Sequence, residues 1–278
     1  MKKIIFLLII TLSFQSSFSQ KKEKIKGSKI VVIQTKKVEH FTSLQVEDNL
    51  EVFLIKGNES GVEIEADNNL QEIIVPAVVN GVLNLSTTKY ISSAKIVKIR
   101  VTYTEDFNLV TARGESKIST LADLVLDNIE FRSFDSTELF LNAKPKNFTV
   151  KCDDKSKVEM NIKADNCTII VSKGSRLKAL VVSNEMHLDL YQKAEATVEG
   201  DVAEGIIRLD NDTELKGKNL INKHGELICE ASTKAVVVFE KSVTITASGK
   251  SEVELYGEPV IDLKKFADSA VLRKKPTK

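Results

Sequence analysis

Val150-Lys151-Cys152-Asp153-Asp154-Lys155-Ser156-Lys157-Val158-Glu159-Met160 alternates apolar and polar residues on both sides of a short polar break. Ile169-Ile170-Val171-Ser172-Lys173-Gly174-Ser175-Arg176-Leu177-Lys178-Ala179 repeats the pattern one period later (175−156). Extended in both directions, the small residue after the break forms the series Ser116, Thr137, Ser156, Ser175, Ala194, Thr213, Thr233 and Ser251. Two positions later stand Ile118, Leu139, Val158, Leu177, Ala196, Leu215, Ala235 and Val253. Six positions earlier stand Val110, Phe131, Val150, Ile169, Leu188, Ile207, Leu227 and Ile245. Three columns in register at a period of about 19 residues are the mark of a solenoid.

Period-two alternation on both sides of a corner predicts two short strands meeting at a bend. Leucine-rich repeats have a similar length, but they carry a Leu-rich consensus and a helical segment. Here β-branched and alternating residues fill both sides. The fold class expected is therefore all-β: a right-handed, single-stranded parallel β-helix of eight regular rungs over 108–262. The hydroxyl column is expected to face inward and staple the corner by hydrogen bonds, with Ala194 a gap in the ladder. Asn128, Asn147 and Asn166 open three successive rungs and are expected to bond amide to amide along the axis.

The remaining chain divides around this array. Lys2 and Lys3 precede the apolar run Ile4–Phe14, and Ser17-Phe18-Ser19 offers a small-residue cleavage site, so residues 1–19 read as an export signal. The apolar run is too short to span a bilayer, and nothing beyond it reads as membrane-spanning. Residues 20–37 read as a flexible basic lead. Residues 38–107 read as short strands continuous with the solenoid or capping it, with Asn80-Gly81 as a turn. Phe41 to Val52 resembles a rung, but nothing repeats it at the period of the array. Residues 38–262 thus form one domain, and 263–278 a basic tail that helps blunt the open end.

Composition narrows the function. Lys plus Arg number 40 against 39 for Asp plus Glu, a net charge of +1, which argues against a nucleic-acid partner. Cys152 and Cys229 share a column but lie four rungs apart, about 19 Å, too far for a disulfide; Cys167 lies in another column, and all three read as small buried hydrophobes. His40, His187 and His224 fall in unrelated columns, so neither a metal nor another cofactor is expected. Low-level candidates for binding gather at the corner: Asp135, Asp153, Asp154, Tyr191, Asp210 and Asp212. Acidic clusters in such positions can hold calcium or act as acid and base on polysaccharide, although solvated turn residues are the simpler explanation.

One resemblance spans residues 38–260. Phe41-Thr42-Ser43-Leu44-Gln45-Val46 with Val52, Leu54 and Gly57 comes first. Val62-Glu63-Ile64-Glu65-Ala66-Asp67, Leu70 and Gly81-Val82-Leu83-Asn84-Leu85 follow. Ile99-Arg100-Val101-Thr102-Tyr103 then leads into Gly114-Glu115-Ser116-Lys117-Ile118. This resembles the head GIN domain family of auto-transporter adhesins, extracytoplasmic β-helix proteins of Bacteroidota, although the corners here are more charged and poorer in glycine. The resemblance implies no catalytic residues. The function expected is an exported, non-enzymatic module for binding or adhesion at the cell envelope, in the periplasm or at the cell surface, with an envelope protein or glycan as partner. The alternatives are a polysaccharide lyase or hydrolase on the same scaffold and an envelope signalling module.

Overall fold

The computed structural model describes residues 22–276, and the segment 1–19 read above as an export signal lies outside them. Apart from one 3-10 turn, Asn68–Leu70, every regular element is a strand, and the chain winds into a β-solenoid of about nine turns with about 19 residues each. The sequence columns are its stacking columns. Val110, Phe131, Val150, Ile169, Leu188, Ile207, Leu227 and Ile245 pair in parallel register, each with the next. The column from Ile118 to Val253 does the same on the opposing sheet. Every member of both columns is buried. They fill the space between two parallel sheets, so each rung supplies the hydrophobic cover that its neighbour lacks.

The corner between the columns turns through a left-handed residue. Gly114, Asp135, Asp154, Lys173, Gln192, Asn211, Ala231 and Gly249 occupy it in turn, with φ between 50° and 72°. Gly, Asn and Asp enter this region at least cost, which explains why acids recur at these positions. The hydroxyl column follows two positions later and faces inward as expected. Its expected hydrogen bonding does not follow. Ser156 Oγ donates to Ser175 Oγ at 3.2 Å, whereas the hydroxyls of Ser116, Thr137, Thr213 and Ser251 are buried with no partner among the described residues. The backbone itself closes the corners: at Ala194, which has no hydroxyl, the N–H still donates to Tyr191 O at 3.2 Å. The asparagine ladder forms as expected, with Asn147 Nδ2 donating to Asn128 Oδ1 and Asn166 Nδ2 to Asn147 Oδ1, both at 2.8 Å, but on the outside of the coil.

A second bend closes each coil. In the 15-residue strand Lys157–Val171, alternation slips where Asp165 and Asn166 both face solvent. The outer flank of the second sheet carries stacked opposite charges. Glu138 lies between Lys117 and Lys157 of the adjoining rungs, at 2.9 and 3.3 Å, and Lys178 meets Glu159 at 3.5 Å. These pairs help to fix register, and they fit the near-zero net charge.

Both ends differ from the sequence reading. Ser43–Val46 and Glu51–Lys56 form a true rung: Leu44 pairs with Val110 and Val52 with Ile118, more than three periods away along the chain (110−44 and 118−52). The intervening chain runs beneath it, with Leu83 under Leu44 and Ile99 under Val52. Antiparallel strands then close that end, Gly61–Asp67 on Val97–Tyr103 and Ile74–Val79 on Val82–Thr87. The 20–37 segment is not a flexible lead over its described part, because Lys24–Lys26 pairs with Tyr90–Ser93 and Val31–Lys36 with Gly61–Asp67. The 263–278 segment is not merely a basic tail. Val260–Phe266 and Val271–Lys274 stack as another rung, with Leu263 over Ile245 and Leu272 over Val253. Its cations find acids below, as in Arg273–Glu252 at 2.8 Å and Lys275–Glu254 at 3.2 Å, and this pairing lets a charged segment continue the coil.

Candidate functional site

The corner acids are already engaged. Asp135 Oδ2 accepts from the Gly114 N–H of the rung below at 2.9 Å. Asp153 accepts from the Asp154 N–H and Ser172 Oγ, each at 2.9 Å, and from Lys173 Nζ at 2.8 Å. Burial would push the Asp153 carboxyl up, but the Lys173 ammonium with the Asp154 and Ser172 donors holds it below the usual carboxylate range. Asp154 lies 3.8 Å from the same ammonium. Asp135, Asp153 and Asp154 thus share neighbouring rungs, and Asp153 has most of its acceptor capacity used by the protein.

Tyr191 and Asp210 stand side by side on adjoining rungs, two and three rungs above Asp153, about 10 and 14 Å away. The Arg208 guanidinium lies 5.9 Å from the Tyr191 ring and bonds Glu230 at 3.1 Å. Asp189 faces Arg208 across the ladder, and burial holds its carboxyl above the usual range, against the pull of Arg208 and His187. Asp212 lies on the same corner with φ 60° and is exposed. The six candidates therefore form two groups. His40, His187 and His224 each find a separate partner, Asp106, Glu185 and Ser242. No set of three potential metal ligands comes together among the described residues.

One of the two large concavities lies at the second bend. An open groove of about 820 Å³ runs across successive rungs, lined by Val125, Leu126, Pro145, Ala164 and Val182, with Lys144, Lys146 and Lys163 along its rim. Lys144 pairs with Asp123 at 2.6 Å and Lys146 with Asp127 at 2.9 Å, whereas Lys163 has no ion-pair partner among the described residues. At Lys56 and Glu105 the groove meets a second depression of about 830 Å³, edged by His40 and Asp106. There the Thr104 hydroxyl and His40 hold the Asp106 carboxyl below its ordinary range, and the His40–Asp106 contact is 2.7 Å. Sequence reasoning missed this groove because its lining falls between the columns. One signal was present: the first interval, Ser116 to Thr137, is the longest of the series, and its extra chain supplies the wall around Val125.

Fold and groove together define a parallel β-solenoid with an open lateral surface. The family described as "Putative auto-transporter adhesin, head GIN domain" matches residues 40–259. The chain belongs to this family. Among solved structures it is similar to a "putative adhesin" from Parabacteroides distasonis ATCC 8503, with TM-score 0.64 and 13% identity over 90% of this chain and 100% of that one. A "putative adhesin" from Parabacteroides merdae ATCC 43184 gives TM-score 0.64 at 14% identity, covering 91% and 99%. A "Putative lipid binding protein" from the same P. distasonis strain gives 0.60 at 14%, covering 92% and 98%. At such identities the likeness shows the fold. No curated protein matches the chain. Among the described residues no helix is long and apolar enough to cross a membrane.

Proposed function

We propose that the protein is an exported, non-enzymatic adhesion module of the cell envelope that holds an extended ligand, a glycan or a protein segment, in the groove at the second bend. The observation that carries this reading is the shape of the groove. It is open and crosses several rungs, lined by apolar residues and by lysines interspersed with Glu105, Asp127 and Asp165, so it suits a long partner better than an enclosed small molecule. Family membership supports adhesion, and the pattern of residues 1–19 supports export. The corner acids are a lesser surface in this reading. A hydrolase built on Asp153 would need that carboxyl kept protonated near neutral pH, and it is held in the opposite direction.

Binding of the immobilised protein to a panel of anionic and neutral envelope polysaccharides, and to envelope proteins, tests the proposal. The double substitution Lys144→Glu with Lys163→Glu should weaken the best hit about tenfold while leaving the fold intact. Unchanged affinity would remove the groove from the reading. Release of reducing ends from any polysaccharide, abolished by Asp154→Ala, would replace adhesion with catalysis.

A further inference from the structure

The two ends of the solenoid are treated differently. Antiparallel pairs build the N-terminal end, where Val31–Lys36 and Ile74–Val79 keep outer edges unpaired among the described residues, whereas a parallel rung forms the other end. All seven residues of Val260–Phe266 are exposed. Ile261 and Leu263 continue the inward columns above Val243 and Ile245, yet they are 37% and 50% exposed, and Phe266, above Ala247, is 46% exposed. Interior-type residues therefore meet solvent beside a strand whose outer edge is unpaired among the described residues, a surface that natural sheets ordinarily cover.

We propose that this end binds the same end of a second copy, with the two Val260–Phe266 edges pairing antiparallel about a two-fold axis through Leu263. Three observations favour a second copy over another partner. The surface to be covered is the layer of a coil, and an identical coil offers the matching layer. Asp262 and Lys264 flank Leu263, so the two-fold places Asp262 beside the partner's Lys264 and Lys264 beside the partner's Asp262. Lys264 reaches Glu226 two rungs below at 3.4 Å, and with 59% of its side chain exposed it would have to share that charge with the partner's Asp262. Finally, a two-fold contact uses the same surface on both copies and stops at a dimer, whereas head-to-tail stacking would grow a fibre.

The contact is small. A seven-residue edge is about 23 Å long, and a coil of two sheets is about 20 Å across, so pairing buries about 900 Å² in total. That falls below the range of about 1,200–2,000 Å² for specific interfaces, so a weak, readily reversible dimer is expected.

Sedimentation velocity of the purified protein from about 1 to about 200 μM tests the proposal. A reversible monomer–dimer equilibrium is expected. Asp262→Lys or Lys264→Asp should each weaken it about tenfold, and the double charge swap should restore it. In a second measurement, Leu263→Cys should give a disulfide-linked dimer under mild oxidation, since the native cysteines are buried, while Lys178→Cys on the exposed flank should not. A concentration-independent monomer, open-ended higher oligomers, or a double swap no better than the singles would each overturn the proposal.

Discussion

Replacing Ser251 with alanine should stabilise the protein, and replacing Ser156 with alanine should destabilise it, although both residues hold the same place in the repeat. The two are equally buried. Ser251 Oγ has no hydrogen-bond partner among the described residues. Folding strips water from that hydroxyl, a loss of about 1–3 kcal/mol when nothing replaces it, so Ser251→Ala should gain about 1 kcal/mol after a small packing loss. Ser156 Oγ donates to Ser175 Oγ at 3.2 Å. Its removal loses that bond and strands Ser175, a destabilisation of about 1 kcal/mol. The two variants should therefore differ by about 2 kcal/mol, or about 4–8 °C in melting temperature for a domain of this size. Matched thermal scans and urea titrations read the difference, with the m-value checked for loss of cooperativity along the array. Equal destabilisation by both changes would refute the reasoning, because Ser251 would then be making a bond that the folded chain needs.

Other substitutions test the columns more bluntly. Val158→Asp places a charge in the core and should unfold the protein, whereas Lys157→Asp, on the solvent face beside Glu138, should lower stability by about 0.5 kcal/mol or less; circular dichroism separates the two. Gly225→Ala should destabilise by more than about 3 kcal/mol in urea titration, since its new methyl would collide with the Gly205 carbonyl of the adjoining rung. Burial would raise the Asp67 carboxyl, yet the N–H groups of Lys29, Lys95 and Ile96 hold it below its ordinary 3.8. Its stabilising effect is therefore present above that value and is lost as pH falls through the depressed one, and Asp67→Asn should flatten this part of the acid-unfolding curve. Burial pushes the thiols of Cys152, Cys167 and Cys229 up to about 12, so iodoacetamide at pH 8 should label them only after denaturation, as mass spectrometry would show.

The regular rungs were legible because one physical demand recurs in each of them. An inward position beside a sheet must be apolar, and a left-handed corner favours Gly, Asn or Asp. Repetition then shows both demands clearly, as in Val150 to Val158 and again in Ile169 to Leu177. The ends were harder to read because they obey the same demand without the period. Leu44 stacks under Val110 from a distant part of the chain, and no window of one period reveals it. Leu263 keeps its column although the strand slips by one residue just after it, and lysines surround it, so composition suggested a tail where pairing builds a rung. The hydroxyl ladder shows a different gap. Sequence placed Ser and Thr inside correctly, but burial alone does not say whether a backbone group lies within reach. The groove escaped notice because its walls come from Val125, Pro145 and Lys163, on the irregular bends.

The placement of the first rung also governs the order in which the coil can assemble. Leu44 and Val52 are made early, yet their upper neighbours, Val110 and Ile118, arrive more than three periods later, whereas each regular rung finds its neighbour after one. Closing the longer loop costs about 1.1 kcal/mol more in chain entropy, from (3/2)RT ln(66/19). The step with the greatest loop-closure cost therefore comes at the start, when the fewest contacts exist to offset it. Once that rung and its floor are in place, every later turn docks on a finished template. A chain emerging from its N-terminus would wait once and then wind up, so damage near Leu44 should slow folding far more than equal damage near Val253.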